Sequence, residues 1–168
     1  MISIVLGTNE KWPSRLIRWA TQSPWSHVWI EYKSMTWGGQ WMVVHSASKG
    51  VMVEPQERVH ARYPKRKVYE CEVGLTEGLL AIRSHLGADY DYRAVIWNGF
   101  LLAVYTAVRL ECLRRIVHKN AAKLSCSELV ATALKAARIE GSDGLDPELT
   151  TPGMVDEFCA STDCFWVA

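Results

Sequence analysis

The first part of the chain consists of short stretches in which apolar and polar residues alternate. A period of two is typical of strands that bury one face, and β-branched and aromatic residues favour the same structure. An apolar run at residues 2–8 predicts a first strand, and residues 13–22 have the spacing of a short helix with Leu16, Ile17 and Ala20 on one face. The alternating pattern predicts four more strands, at residues 26–32, 40–48, 50–55 and 67–73.

Helical spacing dominates the remainder of the chain. Apolar residues recur there every three or four positions, which is typical of a helix with one buried face. Thr76 and Thr151 are residue types that cap helices, and Pro152 suits a first helical position. These patterns predict helices at residues 76–87, 124–139 and 150–161.

Early strands and late helices predict an α+β fold. The length of 168 residues is most simply that of one domain, residues 1–168. A nearly continuous apolar stretch, residues 94–110, is shorter than the roughly 20 residues that span a bilayer, and Asn98 and Gly99 interrupt it. We therefore expect a buried helix there, with membrane contact through this stretch as the less favoured alternative.

Composition and charge restrict the function only loosely. A formal net charge of +1 gives no general attraction to nucleic acid, so we expect no nucleic-acid partner. The locally basic residues 58–67 are interpreted as a solvated connection. Five scattered cysteines without paired spacing argue against a disulfide framework. The first residues lack the features of a secretory signal, which predicts a cytoplasmic protein, or one delivered to the cell envelope by another route such as phage lysis.

Cys126 stands where a loop is predicted to become a helix. Ser125 and Glu128 fit the reciprocal capping box S-x-x-E, which makes Cys126 the first helical residue. Free backbone N–H groups and the helix dipole favour a thiolate at that position. A small buried residue would fit the same place, so this stretch alone leaves both interpretations open.

A thiolate nucleophile needs a base, and two of the five histidines are candidates. His27 and His45 lie in alternating runs that are expected to pair as neighbouring strands, so their rings would share one face of the sheet. In that arrangement His27 would take the proton of the Cys126 thiol. His45 would orient the His27 ring through a hydrogen bond. The other three are interpreted as surface or helix-end residues: His60, His85 and His118.

Five segments of the sequence resemble the circularly permuted branch of the NlpC-type papain-like superfamily. The similarity runs in order through SHVWIEY, VVHSASKGVMVEP, GADYDY, LSCSELV and TTPGMVDEF, from about residue 26 to residue 158. The resemblance implies an antiparallel sheet packed against helices, with the nucleophilic cysteine at a helix N-terminus. It also implies Cys126 as nucleophile, His27 as base and His45 as third polar residue.

Three further residues are candidate contacts to substrate or to the oxyanion. Tyr90 matches a tyrosine of the family, and Ser125 and Ser127 flank the cysteine. The family's third position is frequently Glu, whereas His45 is similar to the related lecithin retinol acyltransferase-like group. The apolar insertion, from residue 94 to about 115, exceeds what the family pattern needs.

The predicted function is therefore a thiol hydrolase that cleaves an amide or peptide bond, such as one in a peptidoglycan peptide, through an acyl-enzyme and without a cofactor. A lipid acyl hydrolase or transferase of related fold is one alternative. A catalytically inactive module that binds a peptide, lipid or host protein is another. A zinc site built from His27, His45 and Cys126 ranks below these. The sequence leaves the oligomeric state open.

Overall fold

The computed structural model describes the backbone of residues 2–71, 74–90 and 123–168. Its strands are β1 (Ile2–Thr8), β2 (His27–Ser34), β3 (Gln40–Ala47), β4 (Gly50–Pro55), β5 (Lys65–Cys71), β6 (Asp89–Tyr90), β7 (Lys123–Leu124) and β8 (Phe165–Val167). Its α-helices are α1 (Trp12–Thr21), α2 (Gln56–Arg62), α3 (Thr76–Ile82), α4 (Cys126–Ala136) and α5 (Pro152–Ser161).

Six strands form one antiparallel sheet in the order β4-β3-β2-β1-β5-β8. A second, two-stranded sheet pairs β6 with β7 in parallel. The predicted α+β class is confirmed. Strand β2 pairs with β1 from its first residue, His27, which lies opposite Gly7. The connection from β1 through α1 to β2 therefore lies at the end of the sheet where His27 begins its strand.

Alternation along the strands divides the core into two parts, one on each face of the sheet. The larger part, here called the α4 face, joins Val28, Ile30 and Val44 of the sheet to the apolar side of α4. Helix α4 packs on β2 and β3, and its Leu129 and Leu134 are almost fully buried. Burial of this apolar surface is the main stabilising contribution to the fold.

The other side of the sheet, here called the α2 face, has a smaller apolar cluster. Val5, Trp29 and Val43 contribute from the strands, and Val59 contributes from α2. Helix α2 packs on β3 and β4. It overlaps the first part of residues 58–67, which the sequence predicted to be a solvated connection. That prediction is wrong because these residues form part of α2, where Val59, amid basic neighbours, is buried against the sheet.

Other predictions concern single elements. Ser125 and Thr151 cap α4 and α5 as predicted, whereas the cap position of α3 is Leu75 and not Thr76. Strand β8 was not predicted. No helix within residues 2–71, 74–90 and 123–168 is long and apolar enough to cross a membrane. The apolar stretch at 94–110, and the insertion to about 115, lie outside the described residues.

Candidate active site

The two predicted histidines lie side by side on the α2 face. His27 is the first residue of β2 and His45 lies near the end of β3, and the two strands pair antiparallel. Nε2 of His27 and Nδ1 of His45 are 2.9 Å apart. Both residues are buried, with 4% and 1% of their surface exposed. The predicted proximity of the two rings is confirmed.

Glu54 of β4 extends this pair into a chain of three residues. Its Oε1 lies 2.9 Å from Nε2 of His45 and accepts a hydrogen bond of 2.6 Å from Nη2 of Arg62. Burial acts to raise the pKa of Glu54, but the hydrogen bonds from Arg62 and His45 outweigh it and hold the pKa below its ordinary value. Glu54 is therefore a carboxylate at neutral pH, and it can only accept hydrogen bonds.

Burial also determines the protonation of the two rings. It lowers the pKa of His27 well below its ordinary value, with further lowering from His45 and Arg62. Burial lowers the pKa of His45 too, and the hydrogen bond to Glu54 opposes this only in part. Each ring is neutral at pH 7 and carries a single N–H.

The chain of hydrogen bonds then assigns those two protons. Because Glu54 only accepts, His45 donates from Nε2 and has an unprotonated Nδ1. That Nδ1 accepts from Nε2–H of His27, which leaves Nδ1 of His27 as the unprotonated nitrogen. His27 thus presents a lone pair that can take a proton.

Sequence reasoning missed Glu54, although a signal was present. Glu54 ends the segment VVHSASKGVMVEP, in which a short turn folds β4 back onto β3. In the observed register Met52 lies opposite His45, and Glu54 is two residues further on, so its side chain is on the same face. The predicted strands at residues 40–48 and 50–55 are close enough in sequence to pair, which would have made Glu54 a candidate neighbour of His45.

Aromatic rings hold the His27 side chain in place. Tyr63 stacks on His27 with centroids 4.9 Å apart, and the Trp29 ring lies 5.6 Å away. A Cβ at Gly7 would collide with the Trp29 ring, so glycine is required where this ring crosses β1.

A second polar cluster fixes α2 over these rings. The buried carboxylate of Glu31 accepts from Nε1 of Trp29 at 2.7 Å and from Gln56 at 2.5 Å, and it bonds Nε2 of His60 at 2.6 Å. His60 lies in the last turn of α2, which fits its interpretation as a helix-end residue, but its ring is turned to Glu31 and is only 27% exposed. The cluster ties β2 to α2 directly ahead of Tyr63.

Cys126 begins α4, as predicted. The capping box is complete: Ser125 Oγ accepts from the backbone N–H of Glu128 at 3.2 Å, and the Glu128 carboxylate accepts from Ser125 N–H at 3.2 Å. Cys126 is 4% exposed and packs in the apolar cluster of the α4 face.

The chain ahead of Cys126 is nevertheless attached to the histidine strand. Ser46, the neighbour of His45, donates from Oγ to the carbonyl oxygen of Leu124 at 2.6 Å. Leu124 stands two residues before Cys126. This bond fixes the approach to α4 against β3 at the end where the histidines lie.

The other candidate contacts differ in their surroundings. Ser125 Oγ is the helix cap, and Ser127 Oγ donates to the carbonyl oxygen of Thr150 at 2.5 Å, so both hydroxyls are engaged within the fold. The backbone N–H groups of this first turn remain candidate oxyanion donors. The backbone of Tyr90 lies in β6, and its side chain is outside the described part of the structure. Its predicted role stays a prediction.

A known crystal structure has a similar fold, that of metalloprotein yiiX from Escherichia coli O157:H7. The similarity has a TM-score of 0.61 at 14% sequence identity, and it covers 99% of this chain and 94% of that chain. At this identity the likeness concerns the fold alone. No protein-family model matches the chain, and no curated protein matches it in sequence.

Proposed function

We propose that the protein is a thiol hydrolase of the permuted NlpC-type, papain-like kind, with Cys126 as nucleophile, His27 as base and His45 as orienting residue. The observation that carries the proposal is the hydrogen-bonded chain from His27 through His45 to Glu54. It leaves Nδ1 of a buried, neutral imidazole ready to accept a proton, which is what a thiol nucleophile requires.

The reaction follows from these positions. Nδ1 of His27 takes the proton of the Cys126 thiol, and the sulfur attacks the carbonyl carbon of an amide or ester. N–H groups of the first turn of α4 stabilise the oxyanion. His27 then returns the proton to the leaving amine or alcohol, and the acyl group stays on sulfur. A water molecule, deprotonated by His27, attacks the thioester, releases the acid and restores the thiol.

Glu54 has a defined part in this cycle. When His27 is protonated, its positive charge is shared with His45 through their hydrogen bond, and the Glu54 carboxylate stabilises that charge from the far end. Arg62 opposes this effect, since it shares the same carboxylate oxygen of Glu54. Glu54 is thus a positioning residue that acts through His45.

The proposal places one demand on the geometry. The thiol of Cys126 and Nδ1 of His27 must come within about 3–4 Å of each other during the reaction. Catalytic hydrogen bonds are often long in the absence of substrate and shorten when substrate binds. His27 projects from the α2 face and Cys126 packs on the α4 face, so the two groups would have to meet around the end of the sheet where β2 begins.

Among the described residues, the histidine pair does not favour a metal centre. The structural neighbour is titled a metalloprotein. In this chain both ring nitrogens of His45 are engaged in hydrogen bonds, to His27 and Glu54, so His45 has no lone pair to give. In the described part of the chain, no group of three or more His, Cys, Asp or Glu side chains is arranged to hold a metal ion.

Site-specific alkylation tests the nucleophile directly. Iodoacetamide labelling of each cysteine is followed by mass spectrometry as a function of pH. We expect Cys126 to react at lower pH than Cys164, a half-buried thiol whose pKa is raised by burial and which is a matched internal control. His27→Ala is expected to move the Cys126 profile to higher pH and to leave that of Cys164 unchanged.

Hydrolysis tests the activity itself. Peptidoglycan fragments and model acyl esters are offered to the wild type, to Cys126→Ala and to Cys164→Ala. Loss of turnover in Cys126→Ala alone supports the proposal, and the preferred substrate decides between amide and lipid acyl chemistry. Turnover that survives in Cys126→Ala contradicts it.

A catalytically inactive binding module is the second candidate. The burial of Cys126 in the apolar cluster of the α4 face favours it. This candidate predicts that Cys126 and Cys164 have similar alkylation profiles. It also predicts that His27→Ala changes neither of them.

A further inference from the structure

Helix α1 presents its apolar side to solvent. Trp12, Leu16 and Trp19 are 74%, 39% and 62% exposed. Their spacing of four and three residues puts them in one row along the helix. We call this row the tryptophan stripe. The sequence suggested a helix face with Leu16, Ile17 and Ala20, but Leu16 belongs to the exposed row.

The side of α1 that faces the protein has smaller side chains than the tryptophan stripe, and Ile17 and Ala20 are half-buried there. Its buried residue is Ser14, and Thr21 Oγ1 donates to the carbonyl oxygen of Ile17. Ordinary surface helices have the opposite arrangement, with the apolar row inward. Two exposed tryptophans on ten residues therefore indicate a contact made outside the folded chain.

Positive charges flank the stripe. Lys11 precedes the helix and Arg15 lies beside Trp12 and Trp19 on the exposed side, while Arg18 pairs with Glu10 at 3.2 Å. The segment from residue 10 to residue 21 thus carries three cationic side chains and one anionic side chain. Tryptophan and arginine both place an apolar body next to a polar end, which suits them to the boundary between lipid chains and headgroups.

We propose that α1 docks on the surface of bilayers that contain anionic lipid, with the tryptophan stripe inserted at the headgroup boundary and Lys11 and Arg15 against lipid phosphates. A short amphipathic helix with aromatic and basic residues binds membranes in this way. This docking does not depend on the proposed catalytic activity. It concerns α1 and not the apolar stretch at 94–110.

A second copy of the chain fits the stripe less well. A twofold contact between two stripes would bring Arg15, at the middle of the stripe, close to Arg15 of the other copy. Like charges next to an apolar contact oppose association, whereas an anionic lipid surface attracts all of them. Charge therefore favours the bilayer as the occupant.

The position of α1 relates the docking surface to the candidate site. Helix α1 connects the end of β1 to the start of β2, at the end of the sheet where His27 lies. The β2–β3 hairpin is at the opposite end, and it exposes another tryptophan, Trp37, at 54%. Trp37 is thus a control of the same residue type and similar exposure.

Co-sedimentation with vesicles tests the proposal on the full chain. Vesicles of phosphatidylcholine alone are compared with vesicles of phosphatidylcholine and phosphatidylglycerol. We expect wild type to bind the anionic vesicles at low salt, and Trp12→Ser/Trp19→Ser to bind about tenfold or more weakly, since two interfacial anchors are lost. Trp37→Ser should bind like wild type, and Arg15→Glu should weaken binding to the anionic vesicles only.

Three outcomes would overturn the proposal. One is no binding of wild type to anionic vesicles, and another is equal loss in Trp37→Ser and the double variant. The third is concentration-dependent self-association without vesicles that the double variant abolishes, which would make a second copy the occupant. Far-UV circular dichroism of each variant verifies the fold, and because the three tryptophans are exposed we expect unchanged spectra.

Discussion

The two faces of the central sheet are built from the same strands but have different contents. Val28, Ile30 and Val44 face α4 and belong to the larger apolar cluster. The alternate residues of the same strands, such as His27 and His45, face α2 and form polar chains that end on carboxylates. One face stabilises the fold, and the other holds groups that can transfer a proton.

The difference shows how a fold of this size can accommodate buried polar groups. Burial of histidine and glutamate costs free energy unless each is hydrogen-bonded. On the α2 face each of these groups has hydrogen-bond partners. Glu54 bonds His45 and Arg62, and Glu31 bonds Trp29 and His60. The apolar surface on the α4 face offsets what the polar groups cost.

The largest effect is expected on the α4 face. Leu134→Ala removes a fully buried side chain from the apolar cluster and should lower the free energy of unfolding by about 2–5 kcal/mol. Urea denaturation measures this change. Leu80→Ala, at a residue 51% exposed, is the matched control and should change stability by less than about 0.5 kcal/mol. Equal effects would remove the distinction between core and surface leucines.

The second-largest effect on the free energy of unfolding is expected at the polar cluster around Glu31. Glu31→Ala leaves the buried Trp29 N–H and its other donors without their acceptor, which should cost about 1–3 kcal/mol in the same measurement. Glu31→Gln keeps one acceptor oxygen and should cost less. If alanine and glutamine are equally tolerated, the cluster does not contribute to stability and the two faces differ less than proposed.

The α2 face also predicts a pH dependence of stability. The pKa of both His27 and His45 is lowered in the folded protein, so the unfolded chain binds more protons as pH falls below about 6.5. Stability should therefore decrease from pH 6.5 to pH 5, by up to about 1.4 kcal/mol per pH unit for each proton involved. The lowered pKa of Glu54 acts in the same direction only at more acidic pH.

Denaturation at a series of pH values tests this dependence. His45→Gln is the informative variant, because its amide can accept from His27 and donate to Glu54 without titrating. This variant should have a smaller change of unfolding free energy with pH, because one titrating histidine is removed. A wild-type stability that stays flat from pH 6.5 to pH 5 would mean that both rings take up protons normally in the folded state.

The smallest effect concerns the helix that carries Cys126. Ser125→Ala removes the cap of α4 and should cost about 1 kcal/mol. Thr151→Ala removes the corresponding cap of α5 and is the matched control, because it caps a different helix. Both should destabilise to a similar extent, and only Ser125→Ala should alter alkylation of Cys126. If both alter it alike, the effect comes from general destabilisation.

Local patterns predicted much of the fold. The bounds of β1 and β4 agree with the predicted ranges, since alternation and short turns are properties of neighbouring residues. The capping box at Ser125 and Glu128 predicted the start of α4 to the residue for the same reason. Strand β8 was missed because three residues are too few for a pattern, and its pairing with β5 joins distant parts of the chain.

The candidate site was predictable only in part. His27 and His45 could be placed as neighbours because hairpin pairing is local. The role of Glu31 could not be predicted, because its partners Gln56 and His60 lie on α2, some 25 or more residues further along the chain. No local pattern encodes such a contact.

The sequence by itself thus determined the α+β order of elements, the capped helix that begins at Cys126 and the pairing of two histidine strands. The tertiary structure alone decided which nitrogen of His27 is unprotonated, because that depends on Glu54 and on burial from all sides. It also decided that the tryptophans of α1 face outward. Periodicity predicts that a helix has an apolar side, but only packing against the rest of the chain determines which way that side turns.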